Sequence, residues 1–482
     1  MPMPSKRLLL LVAFMATVGP ALAQDIAPLP TRAPVAPLSG PLQLADVLAS
    51  SRQHAPQVLE ALARVRGAEG KRLSAEGAFD TVFSAAADTR LTGYYDSRYA
   101  ETKLTRPLEQ WGGNVYGGYR ISDGRFPIYE DKSYTNQFGE IKAGVVLALL
   151  RDRAIDDRRF NRTQADADIA LADADRLFIA IGVQRRALDA YNQWVVAGER
   201  LEIVRNLLNL AQDRQKGLER QVTLGLRPRI ILTENQQNIL RRQTLVVEAE
   251  QALASAANTL SLYWRDADGR PVIPSPAQLP SDLPAPLPLP IDPKSALSMR
   301  PDLRTIDVRM QVARDRLAVD QNALLPRLDL NAEASRDIGP IGEGGRSREG
   351  TETRIGLTFT LPLQRRAAQG RIMQTQAEIE AAMLRGQGLR EQIIAEIDTI
   401  GVAVDATQRL LTLAGDEQAR AQDMAQAERR RFEMGASDFF LVNIREEAAA
   451  DAALRKLDAA YRQLIAHADL AAASADTDAL GL

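Results

Sequence analysis

The feature that most constrains this chain is a plan that appears twice. Two proline-free stretches, Arg151 to Leu224 and Gln364 to Met434, carry apolar residues at three- and four-residue steps. Ile393, Ile397, Ile400, Val404, Leu411 and Ala414 fit a heptad seam interrupted by Thr407, and Leu201, Val204, Leu208 and Ala211 fit another. At about 1.5 Å per residue, roughly seventy helical residues extend roughly 100 Å, well beyond an ordinary globular helix. Helices of that length bury their seams only by lying side by side in a coiled-coil-like bundle.

The flanking elements repeat as well. Both long stretches end at a glycine turn, Leu224-Gly225 and Met434-Gly435, and a returning helix follows each, Ile230 to Trp264 and Phe439 to Ala473. Before each lies a return strand of alternating pattern, Ile141 to Leu149 and Ile355 to Leu361. Earlier strands are expected at Phe79 to Gly93 and Arg327 to Ser335, and a proline-entered helix precedes them at Ala55-Pro56 and Arg300-Pro301. Gly339 to Gly350 reads as a surface loop. The period is near half the chain, too long for a solenoid. The expected organisation is a first repeat at 42–270, a proline-rich connector at 271–293, a second repeat at 294–475 and a tail at 476–482.

The N-terminus suggests the compartment. Lys6 and Arg7 precede an apolar run from Leu8 to Val18 that ends at Ala21-Leu22-Ala23, the pattern of a signal peptide over 1–23, and a proline-rich segment occupies 24–41. No later segment stays apolar for the roughly 20 residues of a membrane-crossing helix. There are no cysteines, hence no disulfides and no thiol for a lipid anchor. With 60 basic and 62 acidic residues interleaved, no basic tract offers a nucleic-acid footprint.

Two strand pairs in an exported chain pose a closure problem. About four strands cannot close a barrel, and open sheet edges are not tolerated in lipid. Several chains must therefore share one barrel, and three chains give about twelve strands. The helices continuous with those strands would extend the barrel as a cylinder.

At this point the chain resembles the TolC-like outer-membrane factor family over about 42–475. The resemblance rests on the duplicated helix–strand–strand–helix–helix order and the strand entry Ala323-Leu324-Leu325-Pro326-Arg327-Leu328. It rests also on the strand exit Leu361-Pro362-Leu363 and the glycine-centred turn from Arg431 to Leu441. It implies a fold mainly α with a membrane β-barrel, continued by a long α-helical tunnel. It further implies a homotrimer in the outer membrane, working with a periplasmic adaptor and an inner-membrane transporter, and no enzymatic activity. Two departures stand out: no cysteine follows the signal peptide, and the segment Ser97 to Gln137 between the first two strands is unusually long. That segment reads either as an added strand in a hairpin or as an elaborated extracellular loop.

The turns at Gly225 and Gly435 should form the periplasmic tip. Asp438, and after it Glu234, are candidates for a carboxylate ring at the constriction; Asp438 reads equally as a helix N-cap. In the family, aspartates lie further into the returning helix, at places held here by Leu441 and Ile444. Arg220, Arg430 and Arg431 are candidates for ties between helices, with a solvated face as the plainer reading. Tyr94, Tyr95, Trp111, Tyr116 and Tyr119 suit either an interfacial girdle or loop packing. His54 and His467, the two histidines, do not suggest a metal site, and no nucleophile–base pair or phosphate loop stands out. No cofactor is expected.

The expected function is export of small molecules, drugs or metal ions, through a tripartite system. A type I protein-secretion duct shares the fold. A soluble periplasmic adaptor of helical hairpins is the alternative of another class, opposed by the duplication.

Overall fold

The computed structural model describes residues 40–289, 295–342 and 349–482. The expected signal peptide at 1–23, nearly all of the segment 24–41, the end of the connector and the centre of the Gly339–Gly350 loop lie outside the described residues.

The chain runs α1 (Leu44–His54), α2 (Pro56–Glu76), β1 (Val82–Thr89), β2 (Arg98–Pro107), β3 (Asn114–Asp123) and β4 (Glu140–Ala148). The hairpin α3 (Asp157–Thr223) and α4 (Ile230–Leu260) follows. Then come α5 (Pro301–Asn322), β5 (Arg327–Asp337), β6 (Thr351–Thr360) and a second hairpin, α6 (Arg366–Glu433) and α7 (Phe439–Ala473). Helices α3 and α6 have 67 and 68 residues, or roughly 100 Å each at the α-helical rise. Among the described residues no helix is long and apolar enough to cross a membrane.

The seams behave as their spacing requires. Ile393, Ile397 and Val404 are buried in one apolar cluster with Leu303 and Leu470. Thr407 is tolerated in that seam because its hydroxyl donates to the carbonyl of Val404 at 2.9 Å. On α3 the buried stripe is Leu201, Val204, Leu207 and Ala211, and Leu208 is only half-buried. A larger cluster around Trp194 gathers α1, α3, the end of α4 and the end of the chain.

The six strands among the described residues form one antiparallel sheet in chain order. The four expected strands are β1, β4, β5 and β6. The sheet holds six because 97–137, whose strand count the sequence leaves open, contributes β2 and β3, paired residue for residue with β1 and β4. The turn between them, 108–113, lies at the helical end of the sheet. Trp111 accepts there from Ala148 at 3.2 Å, and Glu109 pairs with Arg162 of α3 at 3.2 Å.

The proline-rich connector packs on the helical wall. Leu279, Leu283 and Leu287 lie against the cluster around Trp194, the carbonyl of Gln278 accepts from Leu42 N at 2.8 Å, and that of Leu287 is 2.6 Å from His467 Nδ1. Gly198 leaves the room, since a Cβ there would lie 2.6 Å from the Leu279 side chain.

Candidate functional site

Both helical hairpins end in the same cap. Gly225 and Gly435 adopt φ of 74° and 77°, in the left-handed region that glycine occupies freely. Leu226 N donates to Gln221 O at 2.8 Å and Gly225 N to Val222 O at 3.0 Å. Ala436 N donates to Arg431 O at 2.8 Å and Gly435 N to Phe432 O at 3.0 Å. This is the Schellman arrangement, which satisfies the last carbonyls of each long helix. Leu218, Ile231, Phe432, Phe439 and Val442 pack between the hairpins just inside the turns. The outer side of the tip leaves Leu224, Leu226, Met434 and Phe440 exposed.

The sequence candidates separate on this frame. Asp438 is the N-cap of α7, its carboxylate accepting from Leu441 N at 2.7 Å while remaining exposed. Arg220 and Arg430 are exposed on the last turns of α3 and α6, and Glu234 is exposed just beyond the first turn of α4. Arg431 folds back on its own turn, 3.2 Å from Glu428 and 3.3 Å from the carbonyl of Ala436. Glu428, buried, also accepts from Ser437. Arg431 and Glu428 therefore brace one hairpin turn.

The tie between hairpins lies two turns further in, at a residue the sequence did not single out. Glu446 of α7 is 1% exposed, and three guanidinium groups face it from three other helices. Arg214 of α3 bonds it directly, Arg242 of α4 is 3.4 Å away, and Arg429 of α6 is 3.4 Å away. Arg214 also donates to Asn443 at 2.5 Å, and Arg242 to the carbonyl of Leu207 at 2.6 Å. Burial pulls the Arg242 guanidinium below its ordinary pKa, with Glu446 opposing that shift. One carboxylate thus joins both hairpins, and its removal would leave buried cations without a counter-charge. Only a rule pairing residues more than 200 positions apart could have found it.

The aromatic candidates are spread along the sheet. Tyr94 and Tyr95 lie between β1 and β2 at the end away from the helices, and Trp111 lies at the helical end. Tyr116 and Tyr119 point to opposite faces of β3. Among the described residues no group of three or more histidine or acidic side chains is placed to hold a metal ion.

Comparison with known proteins follows the same lines. The outer membrane efflux protein family profile matches residues 293–476, which hold α5 to α7 with β5 and β6. Comparison with curated protein sequences finds no match. Among solved structures, the outer membrane protein VceC of Vibrio cholerae is similar at a TM-score of 0.62, with 16% identity, over 90% of this chain and 96% of its own. CusC is similar at 0.64, with 14% identity, over 95% and 99%. The open state of the Neisseria gonorrhoeae MtrE outer membrane channel is similar at 0.62, with 14% identity, over 89% and 88%. The chain has the fold of the TolC-like outer-membrane channels that its sequence resembles.

Proposed function

We propose that this chain is the outer-membrane channel of a tripartite export system. Three copies set their sheets side by side as a barrel in the outer membrane, and their helical hairpins form a hollow cylinder through the periplasm. The observation that carries this reading is the direct continuity of an amphipathic sheet with helices of 67 and 68 residues. A sheet with one apolar face belongs in lipid only if it closes, and helices roughly 100 Å long give it reach across a wide compartment. The family match and the likeness to MtrE, an outer membrane channel, support the same reading.

In this account the tip meets a periplasmic adaptor through its exposed Leu224, Leu226, Met434 and Phe440, and an inner-membrane transporter delivers the passenger. The passenger is a small molecule, a drug or metal ion, with unfolded protein as the second reading. The transporter captured by crosslinking in cells decides between them: a proton-driven pump favours small molecules and an ABC transporter favours protein. The general role is tested by fractionating cells and running the outer-membrane fraction unheated and heated. A heat-dissociable trimer in that fraction is the expected result; a soluble periplasmic monomer overturns the reading.

A further inference from the structure

The hairpin β2–β3 interrupts an otherwise simple strand plan, and its two faces show what it is for. Residues directly opposite in an antiparallel sheet share a face. One face carries Phe83 and Ala85 on β1, Thr102 and Leu104 on β2, Val115, Gly117 and Tyr119 on β3, and Ile141, Ala143 and Val145 on β4. It continues through Leu330 and Ala332 on β5 to Ile355 and Leu357 on β6. The apolar face runs through the hairpin unbroken, with Leu104 52% and Val115 37% exposed, as Phe83 and Ile355 are on the edge strands. The charges on this face, Arg98, Arg106, Asp123 and Arg336, fall at or next to strand ends.

The opposite face is polar, and its contacts cross strands. Lys142 on β4 reaches over β3 to Glu101 on β2, past Gly118, where a Cβ would stand 3.4 Å from the Lys142 Cε. Arg120 on β3 pairs with Glu101 at 3.6 Å and with Glu140 at 3.5 Å. A loop lying outside a membrane has no reason to carry a lipid-compatible face in register with four other strands. With 10 residues each, β2 and β3 also match the roughly 9–11 residues a tilted strand needs to cross a bilayer.

From these faces we infer that β2 and β3 are membrane wall, so that three copies close one barrel of eighteen strands, six from each chain, around a lumen lined by charge. The occupant of each open edge is a second copy of this chain. Both β1 and β6 are exposed at every position, six strands are too few to close alone, and an open edge cannot rest in lipid. Barrel diameter grows roughly linearly with strand number, so the exit is about 1.5 times as wide as twelve strands would make it. Barrels of this size leave a water-filled channel, which moves the size limit for the passenger to the helical tip. The inference rests on the channel reading above.

Because the chain has no cysteine, single substitutions report each face cleanly. In native outer membranes, Leu104→Cys and Val115→Cys should be quenched by lipid-borne nitroxides when labelled with a fluorophore and should resist a charged thiol reagent. Lys103→Cys and Thr105→Cys should react with that reagent, and Thr102→Cys and Ile121→Cys serve where a first variant does not assemble. Ile355→Cys on β6 is the reference. Water reactivity at Leu104 and Val115 with lipid quenching at Ile355 overturns the eighteen-strand wall and leaves the channel. Water reactivity at all three overturns the channel reading itself.

Discussion

Tyr116 on β3 reaches across β4 to donate a hydrogen bond to Glu333 on β5 at 2.5 Å, and its ring passes directly over Gly144. A Cβ at Gly144 would lie 2.4 Å from that ring. The glycine is therefore a passage for a side chain that links strands two apart. Gly144→Val should displace Tyr116 and lower the stability of the assembled sheet by about 1–3 kcal/mol. Tyr116→Phe should cost less, since it removes one hydrogen bond and keeps the packing. The temperature at which the trimer dissociates on a gel checks both, and an unchanged value for Gly144→Val would show that the ring moves aside freely.

Glu446 serves three guanidinium groups from three helices. Glu446→Ala should loosen the two hairpins near the tip at a cost of about 3–5 kcal/mol, the usual consequence of stripping the partner from buried charge. Limited proteolysis is the readout: cleavage should appear between about 205 and 250 and between about 420 and 450, the stretches around its partner helices. Glu447→Ala, which breaks the more exposed pair with Arg241, should leave the digest unchanged.

Asp438 offers a clean separation of two roles. Asp438→Asn keeps a side-chain acceptor for the Leu441 amide, whereas Asp438→Ala removes it and should cost about 1 kcal/mol. If the residue also forms a carboxylate ring, both variants should reduce the cation preference of the channel, measured as a reversal potential across a salt gradient. A drop in stability for the alanine variant alone, with unchanged selectivity in both, marks a cap and nothing more.

Burial raises the pKa of Glu199, with Glu202 and with Asp282 of the connector adding to the shift. The sign follows from linkage: the folded state binds this proton more tightly than the unfolded state, so this group's contribution to stability falls as pH rises from the ordinary carboxylate value of 4.5 through the raised one. Glu199→Gln should therefore stabilise the chain at neutral pH and flatten its stability profile over that window. Thermal denaturation at a series of pH values would show this, and a parallel shift of the two profiles would contradict it.

The long helices were legible because nothing interrupts them: no proline between Arg151 and Leu224, a seam at Ile393, Ile397 and Val404, and a glycine at each end. The cap role of Asp438 was legible for the same local reason. The β2–β3 hairpin was legible only as one of two readings, because its glycines look equally like loop punctuation. Gly118 stands in a strand where Lys142 must cross, a requirement set by residues on neighbouring strands. On β2, Glu101, Lys103 and Thr105 alternate with Ala100, Thr102 and Leu104, too weak a contrast to announce a lipid face. Glu446 was missed because Arg214, Arg242 and Arg429 each resemble an ordinary solvated arginine until the hairpins are brought together.

The central claim is a hollow trimer, and electron microscopy of the protein extracted from native outer membranes tests it most directly. The account predicts particles with threefold symmetry, a short barrel at one end and a hollow helical cylinder roughly 100 Å long. Single chains, or a particle with a solid helical core and no barrel, would contradict it.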